Sequence, residues 1–515
     1  MRRRALQALE LTSLILIILV VSPVTMASSE WKKTIQGEEM DVLTPSSVAQ
    51  TMDGGYIMAV SATLRRVDDV GFEGHISTSY ELQILKTDAN GVVQWKKSYQ
   101  TVDDPNHETP SINAYAEHYS IIQTFDQGYV IAGGTSSFWL IKIDSLGTVL
   151  WTKTYLLDES SGNGALNSMI QTNDGGFALA GSVYTYDGGQ DYWLIKTSSQ
   201  GVAQWNHTYN SGSYTDSGGY SNPRDDVATC VIQTSDGGYA LAGSASLFSS
   251  STSSLTYSTW VVKTDSKGNQ IWNKGYDLLN LNGFKTTIIQ TNDGGYAIAG
   301  TQNNDFCLFK ITSSNQFEWS KIYGDQNADN PCGLVQLEDG GYAIAGTWTP
   351  QSTTYTTSTM GLIRTDSSGA TSWIKIYSAK EDSTSNTYSL DQAYSMIRTN
   401  DGAYAMVGST LFGSETHQDI FLVKTETLEQ TPQVTPIPTP ATLEPSTTSD
   451  TGQTSTTSDT PQPEQTHAPT STNNSSTSVD DTANDSVQDG LWIILVVALI
   501  AAISVGVFVL LRRSR

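Results

Sequence analysis

The sequence predicts an all-β fold, a seven-bladed β-propeller closed by its N-terminal strand, and three observations carry that prediction. A hairpin motif typified by residues 288–300 recurs seven times. Each copy is followed by a second pair of short apolar runs, and four strands per repeat are typical of propeller blades. The outermost strand is missing after the last hairpin and stands alone at Trp31–Ile35, before the first.

The first hairpin of each repeat is the better defined one. In Ile-Ile-Gln-Thr-Asn-Asp-Gly-Gly-Tyr-Ala-Ile-Ala-Gly, two apolar runs flank Asn-Asp-Gly-Gly. The glycines supply the positive φ of a tight turn, and the aspartate bonds its own backbone. We therefore predict strands A and B on either side of this turn. The structural turn aspartates are Asp53, Asp126, Asp174, Asp236, Asp293, Asp339 and Asp401.

The second hairpin supplies strands C and D, as in residues 260–276, where Asp-Ser-Lys-Gly is the turn. Strand D carries one tryptophan per repeat. These tryptophans are Trp95, Trp151, Trp205, Trp272, Trp319 and Trp373, with Trp31 as the displaced seventh copy. We expect the Trp31 segment to complete the last blade, because ring closure removes exposed strand edges.

Three kinds of residue recur from blade to blade, and each has a structural and a functional interpretation. A cation near the end of strand C could form a ring for an anionic ligand, or its head could face the acid two residues on. Turn acids could bind calcium or cap their turns. The tryptophans could stack on sugars or pack between blades. A single site must break the sevenfold pattern, so we favour the structural interpretation throughout. The cations are Lys86, Lys142, Lys196, Lys263, Lys310, Arg364 and Lys424, and the turn acids are Asp88, Asp144, Asp265 and Asp366.

The sequence divides into five segments. Residues 1–27 have the basic start, apolar core and cleavage site of a secretory signal peptide. Residues 31–428 form the propeller. Residues 429–489, rich in Thr, Ser and Pro, are predicted to be a disordered stalk. The apolar run 490–511 is long enough for one transmembrane helix, and the arginines of 512–515 place the C-terminus in the cytoplasm. The predicted location is the cell membrane, with the propeller outside.

The charge balance restricts the partners. A formal net charge of −24 argues against nucleic acid, whose binding depends on lysine and arginine. An acidic exterior suits solubility and a divalent cation as cofactor. Cys230, Cys307 and Cys332 lack metal-ligand spacing and are interpreted as buried residues, with one disulfide as the alternative. N-glycosylation sequons begin at Asn206, Asn473, Asn474 and Asn484.

The connections of irregular length predict which face binds a ligand. In a blade of four antiparallel strands the D-to-A and B-to-C connections share one face, and the tight turns share the other. The long connections are residues 62–80, 100–118, 210–229 and 245–258. Because rigid scaffolds carry function on such loops, any binding surface is expected there.

Two groups of loop residues are the candidate sites. His75, His107 and His118, with Asp104 or Glu108, could bind a divalent metal; solvated loop histidines are the alternative. Carboxylates and tyrosines of the long loops could hold a glycan or calcium, or act as general acid and base on a polysaccharide. The second group consists of Asp68, Asp69, Asp103, Tyr214, Tyr220, Asp225 and Asp226.

The repeat Gln-Thr-x-Asp-Gly-Gly-Tyr, followed by Asp-Ser-x-Gly-x-x-x-Trp, resembles secreted and surface β-propeller repeat proteins of bacteria and archaea. Its second part is similar to the tryptophan-docking motif of quinoprotein-like propellers, a resemblance that bears on the fold alone and does not extend to their cofactor. The sequence contains no catalytic motif. We therefore expect a membrane-anchored binding or adhesion module for a glycan or envelope protein. The alternatives are an extracellular enzyme acting on polysaccharide through loop carboxylates and a purely structural envelope component.

Overall fold

The described residues form seven four-stranded antiparallel sheets and one two-stranded hairpin, and each four-stranded sheet corresponds to one predicted blade. The computed structural model describes residues 29–427 except 39, 69–74, 101–117, 136, 158–163, 187–188, 216–220, 250–253, 277–285, 325–326, 351–357, 380–388 and 413–416. The predicted signal peptide, stalk, membrane span and basic tail lie outside the described residues. Within the described residues, no helix is long and apolar enough to span a bilayer.

The first three blades follow the chain in the order A, B, C, D. Blade 1 consists of β2 (Val42–Gln50), β3 (Tyr56–Asp68), β4 (His75–Thr87) and β5 (Val93–Gln100). Blade 2 consists of β6 (Ser120–Gln123), β7 (Tyr129–Gly133), β8 (Phe138–Ile143) and β9 (Val149–Tyr155). Blade 3 consists of β10 (Gly164–Gln171), β11 (Phe177–Tyr184), β12 (Gln190–Thr197) and β13 (Ala203–Tyr209).

A two-stranded hairpin is inserted before blade 4 and is formed by β14 (Ser213–Thr215) and β15 (Ser221–Pro223). Blade 4 consists of β16 (Asp226–Gln233), β17 (Tyr239–Ser249), β18 (Ser254–Thr264) and β19 (Gln270–Tyr276). Blade 5 consists of β20 (Thr287–Gln290), β21 (Tyr296–Gln302), β22 (Asp305–Ile311) and β23 (Phe317–Tyr323). Blade 6 consists of β24 (Asn330–Gln336), β25 (Tyr342–Trp348), β26 (Thr359–Thr365) and β27 (Thr371–Tyr377).

Blade 7 confirms the predicted closure. It takes strands A to C from β28 (Ser389–Arg398), β29 (Tyr404–Phe412) and β30 (Asp419–Lys424) and strand D from β1 (Trp31–Ile35). The register of β1 on β30 runs from Trp31 opposite Lys424 to Ile35 opposite Ile420. The A strands touch in sequence around the ring, and β28 of blade 7 touches β2 of blade 1. The seven-bladed propeller is therefore a closed ring.

The hydrophobic core is divided among the junctions between neighbouring blades. Seven clusters of buried side chains each draw on two adjacent blades, the last joining blade 7 to blade 1. Strand B is covered on both faces, and every residue of Tyr129–Gly133 is buried. Because a blade buries its faces only against its neighbours, the ring stabilises all seven together.

The strand D tryptophans pack between blades, as predicted. Trp31 meets Tyr56 of blade 1 edge to face, with ring centroids 5.8 Å apart. Trp151 lies against the C-to-D turn of the next blade. A Cβ added at Gly201, whose φ is +70°, would be 2.8 Å from the Trp151 ring. The glycine is therefore required both by the turn and by the tryptophan.

The repeated cation is structural, but its predicted partner was wrong. Lys196 does not face the acid position two residues on; its Nζ lies 2.8 Å from the carboxylate of Asp174, in the A-to-B turn. Strand B pairs with strand C so that Lys196 lies opposite Ala178, close to the turn that precedes strand B. The same ion pair, 2.5–2.9 Å long, occurs in all seven blades.

The turn acids cap their own turns, as predicted. Asp88 Oδ1 accepts hydrogen bonds from the backbone N–H groups of Asn90 and Val92, both at 2.9 Å. Equivalent bonds are made by Asp144, Asp265 and Asp366. No disulfide links the three cysteines. Cys307 and Cys332 are buried, as predicted, whereas Cys230 is half-buried.

Candidate functional site

A cavity of about 690 Å³ lies at the centre of the ring. Its wall includes Pro45, near the start of an A strand, and Thr349, just beyond the end of a B strand. These strand ends belong to the face of the long connections, so the cavity opens on the face predicted to bind. Its volume lies within the range of roughly 300–1,000 Å³ typical of small-molecule sites.

Five of the A strands, as described, contain a β-bulge, and all five bulge residues line the cavity. The register against strand B shifts by one residue at each of these positions. The extra residue re-aims its side chain out of the regular alternation of the strand, which is how bulges serve binding sites. The bulge residues are Ser46, Asn167, Thr229, Cys332 and Tyr394.

The bulge ring, as we call these five residues, differs in chemistry from blade to blade although its position repeats. Each member stands four residues before the glutamine that ends strand A, or before Arg398 in blade 7. Position is therefore set by the repeat, whereas side-chain identity is not. A sevenfold scaffold thus presents an asymmetric set of groups to whatever occupies the cavity.

The described wall is uncharged and combines hydroxyl and amide groups with a larger apolar surface. Hydroxyls and amides such as Thr135, Gln190, Asn330 and Gln392 supply most of its hydrogen-bonding groups, and the described lining contains no Asp, Glu, Lys or Arg. The described wall also includes one imidazole, the exposed side chain of His118. Such a wall offers hydrogen-bonding groups to a ligand, and its described part has no pair of carboxyl groups for glycoside hydrolysis.

Side-chain to backbone bonds tie neighbouring parts of this wall together. Asn167 donates from Nδ2 to the carbonyl of Ala228 in the next blade at 2.8 Å. Thr229 donates from Oγ1 to the carbonyl of Thr286, also at 2.8 Å. These two bulge residues hold A strands in register across a junction, so the wall is pre-organised.

The predicted metal site has one side chain in the described part of the chain. His118 lies on the cavity wall, and His75 begins strand β4, with its side chain outside the described set. His107, Asp104 and Glu108 lie outside the described residues. Among the described residues, no group of three His, Cys, Asp or Glu side chains is arranged to hold a metal. The metal site stays a prediction.

Two of the predicted loop acids adjoin in sequence but have different environments. Asp225 is exposed, and its Oδ1 accepts a bond from the backbone N–H of Gln190 at 3.1 Å. Asp226 is fully buried. Its two oxygens accept bonds from Ser211, at 2.6 Å from the backbone N–H and 2.7 Å from the hydroxyl. Burial raises the pKa of Asp226 to about 6 against those bonds, and the nearby charge of Asp191 adds to the rise.

Asp226 and Asp191 form a clasp on the connection between blades 3 and 4. Asn210 donates from Nδ2 to Asp191 Oδ1 at 2.7 Å, next to Ser211 on Asp226. The clasp fixes the start of the inserted hairpin, which carries half-exposed Tyr214. Asp226 therefore positions a loop instead of facing the cavity.

The remaining predicted residues fall outside the cavity or outside the described part. Asp68 ends β3, with its side chain beyond the described set. Asp69, Asp103 and Tyr220 lie outside the described residues, as do the sequons at Asn473, Asn474 and Asn484. Asn206 is exposed on β13, where its Oδ1 accepts a bond from Trp193 Nε1 at 3.3 Å.

The comparisons with known proteins support no functional assignment. No protein-family model and no curated sequence matches the chain. A solved polysaccharide lyase, an ulvan lyase, is similar in structure at 7% identity with a TM-score of 0.44, over 75% of this chain and 95% of that one. An outer-coat vertex of COPII on membranes is similar at 11% identity and a TM-score of 0.41, over 74% and 84% of the two chains. A Bacteroides caccae protein of unknown function reaches 12% identity and a TM-score of 0.32, over 56% and 91%.

Proposed function

We propose that this chain is a cell-surface binding protein whose central cavity takes an uncharged, hydroxyl-rich ligand, a glycan or a glycan-bearing envelope component. The observation that carries the proposal is the bulge ring, which delivers five different side chains into a cavity with an uncharged described wall. Amide and hydroxyl groups match sugar hydroxyls as donors and acceptors. The net charge of −24 repels anionic polymers.

The predicted stalk and membrane span are part of the same proposal. A signal peptide, a Thr/Ser/Pro-rich segment and a C-terminal apolar run would display the propeller outside the cell, away from the membrane. A binding module gains from that reach because it can meet partners beyond the cell's own surface layer.

The test is equilibrium binding of the purified full-length chain to a panel of neutral oligosaccharides, with uronate-containing and sulfated chains as comparators. We expect the neutral class to bind. Thr135→Trp, which fills the half-exposed mouth of the cavity, is expected to weaken binding at least tenfold. Ser145→Trp, on an exposed C-to-D turn of the opposite face, is the matched control and keeps wild-type affinity.

Two results would contradict the proposal. If the wild-type chain binds no neutral member of the panel, the proposed ligand class is wrong. If the two tryptophan variants lose affinity equally, the cavity is not the binding site. Polysaccharide cleavage by the wild-type chain that is lost in Asp103→Asn and Asp104→Asn would instead favour the enzymatic alternative.

A further inference from the structure

We propose that the blade 7 side of the cavity contains a directed hydrogen-bond relay, Gln418 to Ser409 to Tyr394 to Gln392, which fixes the Gln392 amide as a donor to the ligand. The relay makes Gln392 a specificity-determining residue for ligands that present an acceptor oxygen. This inference rests on the proposed function for its ligand, but its geometry is testable without one.

The relay is continuous from strand C to strand A of the blade. Gln418, immediately before β30, donates from Nε2 to Ser409 Oγ. Ser409 Oγ donates to the Tyr394 hydroxyl at 3.3 Å. The Tyr394 hydroxyl donates to Gln392 Oε1. Each bond begins where the previous one ends.

The direction of the relay follows from the two amides at its ends, because Gln418 presents its nitrogen to Ser409 and Gln392 presents its oxygen to Tyr394. A hydroxyl has one proton to donate, whereas an amide nitrogen has two and accepts none. Because Gln418 donates into Ser409, the one proton of Ser409 goes to Tyr394, and that of Tyr394 goes to Gln392 Oε1. The oxygen of the Gln392 amide is thereby occupied, and its two N–H bonds point away from the relay.

The relay passes from the buried interior of the blade to the cavity wall. Ser409 is fully buried, and Tyr394 is half-buried at the bulge. Gln392 is exposed and forms part of the cavity wall. In addition, burial raises the pKa of Tyr394, so the hydroxyl keeps the proton it donates; the bonds from Ser409 and from Gln418, which also reaches the tyrosine hydroxyl directly, act in the opposite direction. A buried anchor thus orients a group that a ligand can reach.

The relay breaks the symmetry of the ring. Tyr394 is the bulge residue of blade 7, where the other bulge residues are Ser46, Asn167, Thr229 and Cys332. Of the five, the tyrosine has the length to carry a hydroxyl from the sheet to a neighbouring side chain on the wall. A single ligand orientation in a sevenfold ring requires such a feature.

The ligand-free arm of the test follows the hydroxyl proton of Tyr394. In the full-length chain labelled at tyrosine Cζ and dissolved in equal parts of H₂O and D₂O, a slowly exchanging hydroxyl gives two Cζ lines. We expect two lines for Tyr394, assigned by their loss in Tyr394→Phe, and a single averaged line in Gln392→Ala. A single averaged line for Tyr394 in the wild-type chain overturns the relay, whatever the ligand panel shows.

The ligand arm measures selectivity with the neutral oligosaccharide panel and its deoxy and deoxyfluoro analogues. At the ligand hydroxyl that accepts from the Gln392 amide, replacement by fluorine, which still accepts a hydrogen bond, is expected to keep the affinity of the wild-type chain. Removal of that hydroxyl is expected to weaken binding at least tenfold. Gln392→Glu, which has no N–H donor when ionised, and Ser409→Ala, whose side chain cannot reach a ligand, are expected to reduce that discrimination at least fivefold.

Ser244→Ala is the control for Ser409→Ala, since Ser244 is the equivalent residue of blade 4 and lies off the cavity wall. It is expected to keep the wild-type selectivity. Binding with selectivity unchanged in Ser409→Ala and Gln392→Glu overturns the specificity role while the proposed function stands. Two Cζ lines with no panel binding support the relay and contradict the proposed ligand class.

Discussion

The two faces of the ring are built on opposite principles. On the tight-turn face every blade repeats one ion pair between a strand C cation and the turn aspartate. On the face of the long connections the bulge ring repeats in position only, and its residues range from Ser46 to Tyr394. Repetition therefore marks what holds the fold together, and departure from repetition marks where the molecule is specialised.

The strongest way to break this comparison is to open the ring. Deleting Trp31–Ile35 removes five cross-strand pairs and the packing of Trp31 on Tyr56. We expect a loss of at least about 5 kcal/mol in the free energy of unfolding, since one tryptophan alone is worth roughly 3 kcal/mol. Thermal unfolding followed by tryptophan fluorescence measures this loss. Deleting residues 440–444 of the predicted stalk is the control, and an equal melting temperature in both deletions would contradict the role of β1.

The second prediction concerns the clasp on the variable face and its dependence on pH. Since burial holds the pKa of Asp226 at about 6, above its ordinary value of 3.8, the folded state binds this proton more tightly than the unfolded state. The stabilising effect of protonation is therefore full below pH 4 and is lost as pH rises from 4 to 6, by roughly 3 kcal/mol.

Urea unfolding of the full-length chain between pH 4 and 7 checks this prediction. Asp226→Asn, which does not titrate, is expected to flatten that part of the stability profile. Asp225→Asn, at the exposed neighbour, is the matched control and should retain the slope. A slope that survives in Asp226→Asn would assign the titration to another group.

The third prediction concerns the repeated ion pairs. Asp174→Ala leaves the ammonium of Lys196, whose side chain is 5% exposed, without its carboxylate partner. We expect a loss of about 2 kcal/mol, reduced from the value for a fully buried pair because Asp174 is more than half exposed. In blade 6 the cation is Arg364, 21% exposed, so Asp339→Ala should cost less than half as much. Chemical denaturation compares the two, and equal losses would contradict the dependence on burial.

The smallest expected effect on stability is at the cavity wall. Gln392→Ala removes an exposed side chain from the lining together with the acceptor of the Tyr394 hydroxyl, and should change the free energy of unfolding by less than about 1 kcal/mol. The same denaturation experiment measures it. A loss of more than about 1 kcal/mol in the free energy of unfolding would show that the cavity wall stabilises the fold, and the two faces would then not differ in this respect.

The fold could be predicted because its signals are local and repeated. The turn glycines and the count of tryptophans, with Trp31 displaced, specified seven blades and their closure. The partner of Lys196 could not be predicted from spacing alone, because cross-strand register places it beside the turn of Asp174, which is distant along the chain. Local spacing reports turns, whereas contacts between strands depend on register.

The cavity wall was missed for a related reason. Loops of irregular length were the predicted binding surface, whereas Tyr394 and Ser46 lie inside A strands whose bulges are not visible as insertions. One signal was available. The position four residues before the glutamine of strand A differs from blade to blade, which in a symmetric scaffold indicates a position that the repeat itself does not determine. Of the predicted site residues, His118 lies on the wall.

The most direct test of the division between the two faces is one binding measurement on two variants. The panel member bound best by the wild-type chain is titrated into Gln392→Ala and Asp174→Ala at a temperature where both are folded. We predict at least tenfold weaker binding for Gln392→Ala and wild-type affinity for Asp174→Ala. Unchanged affinity in Gln392→Ala with a loss in Asp174→Ala would contradict the account.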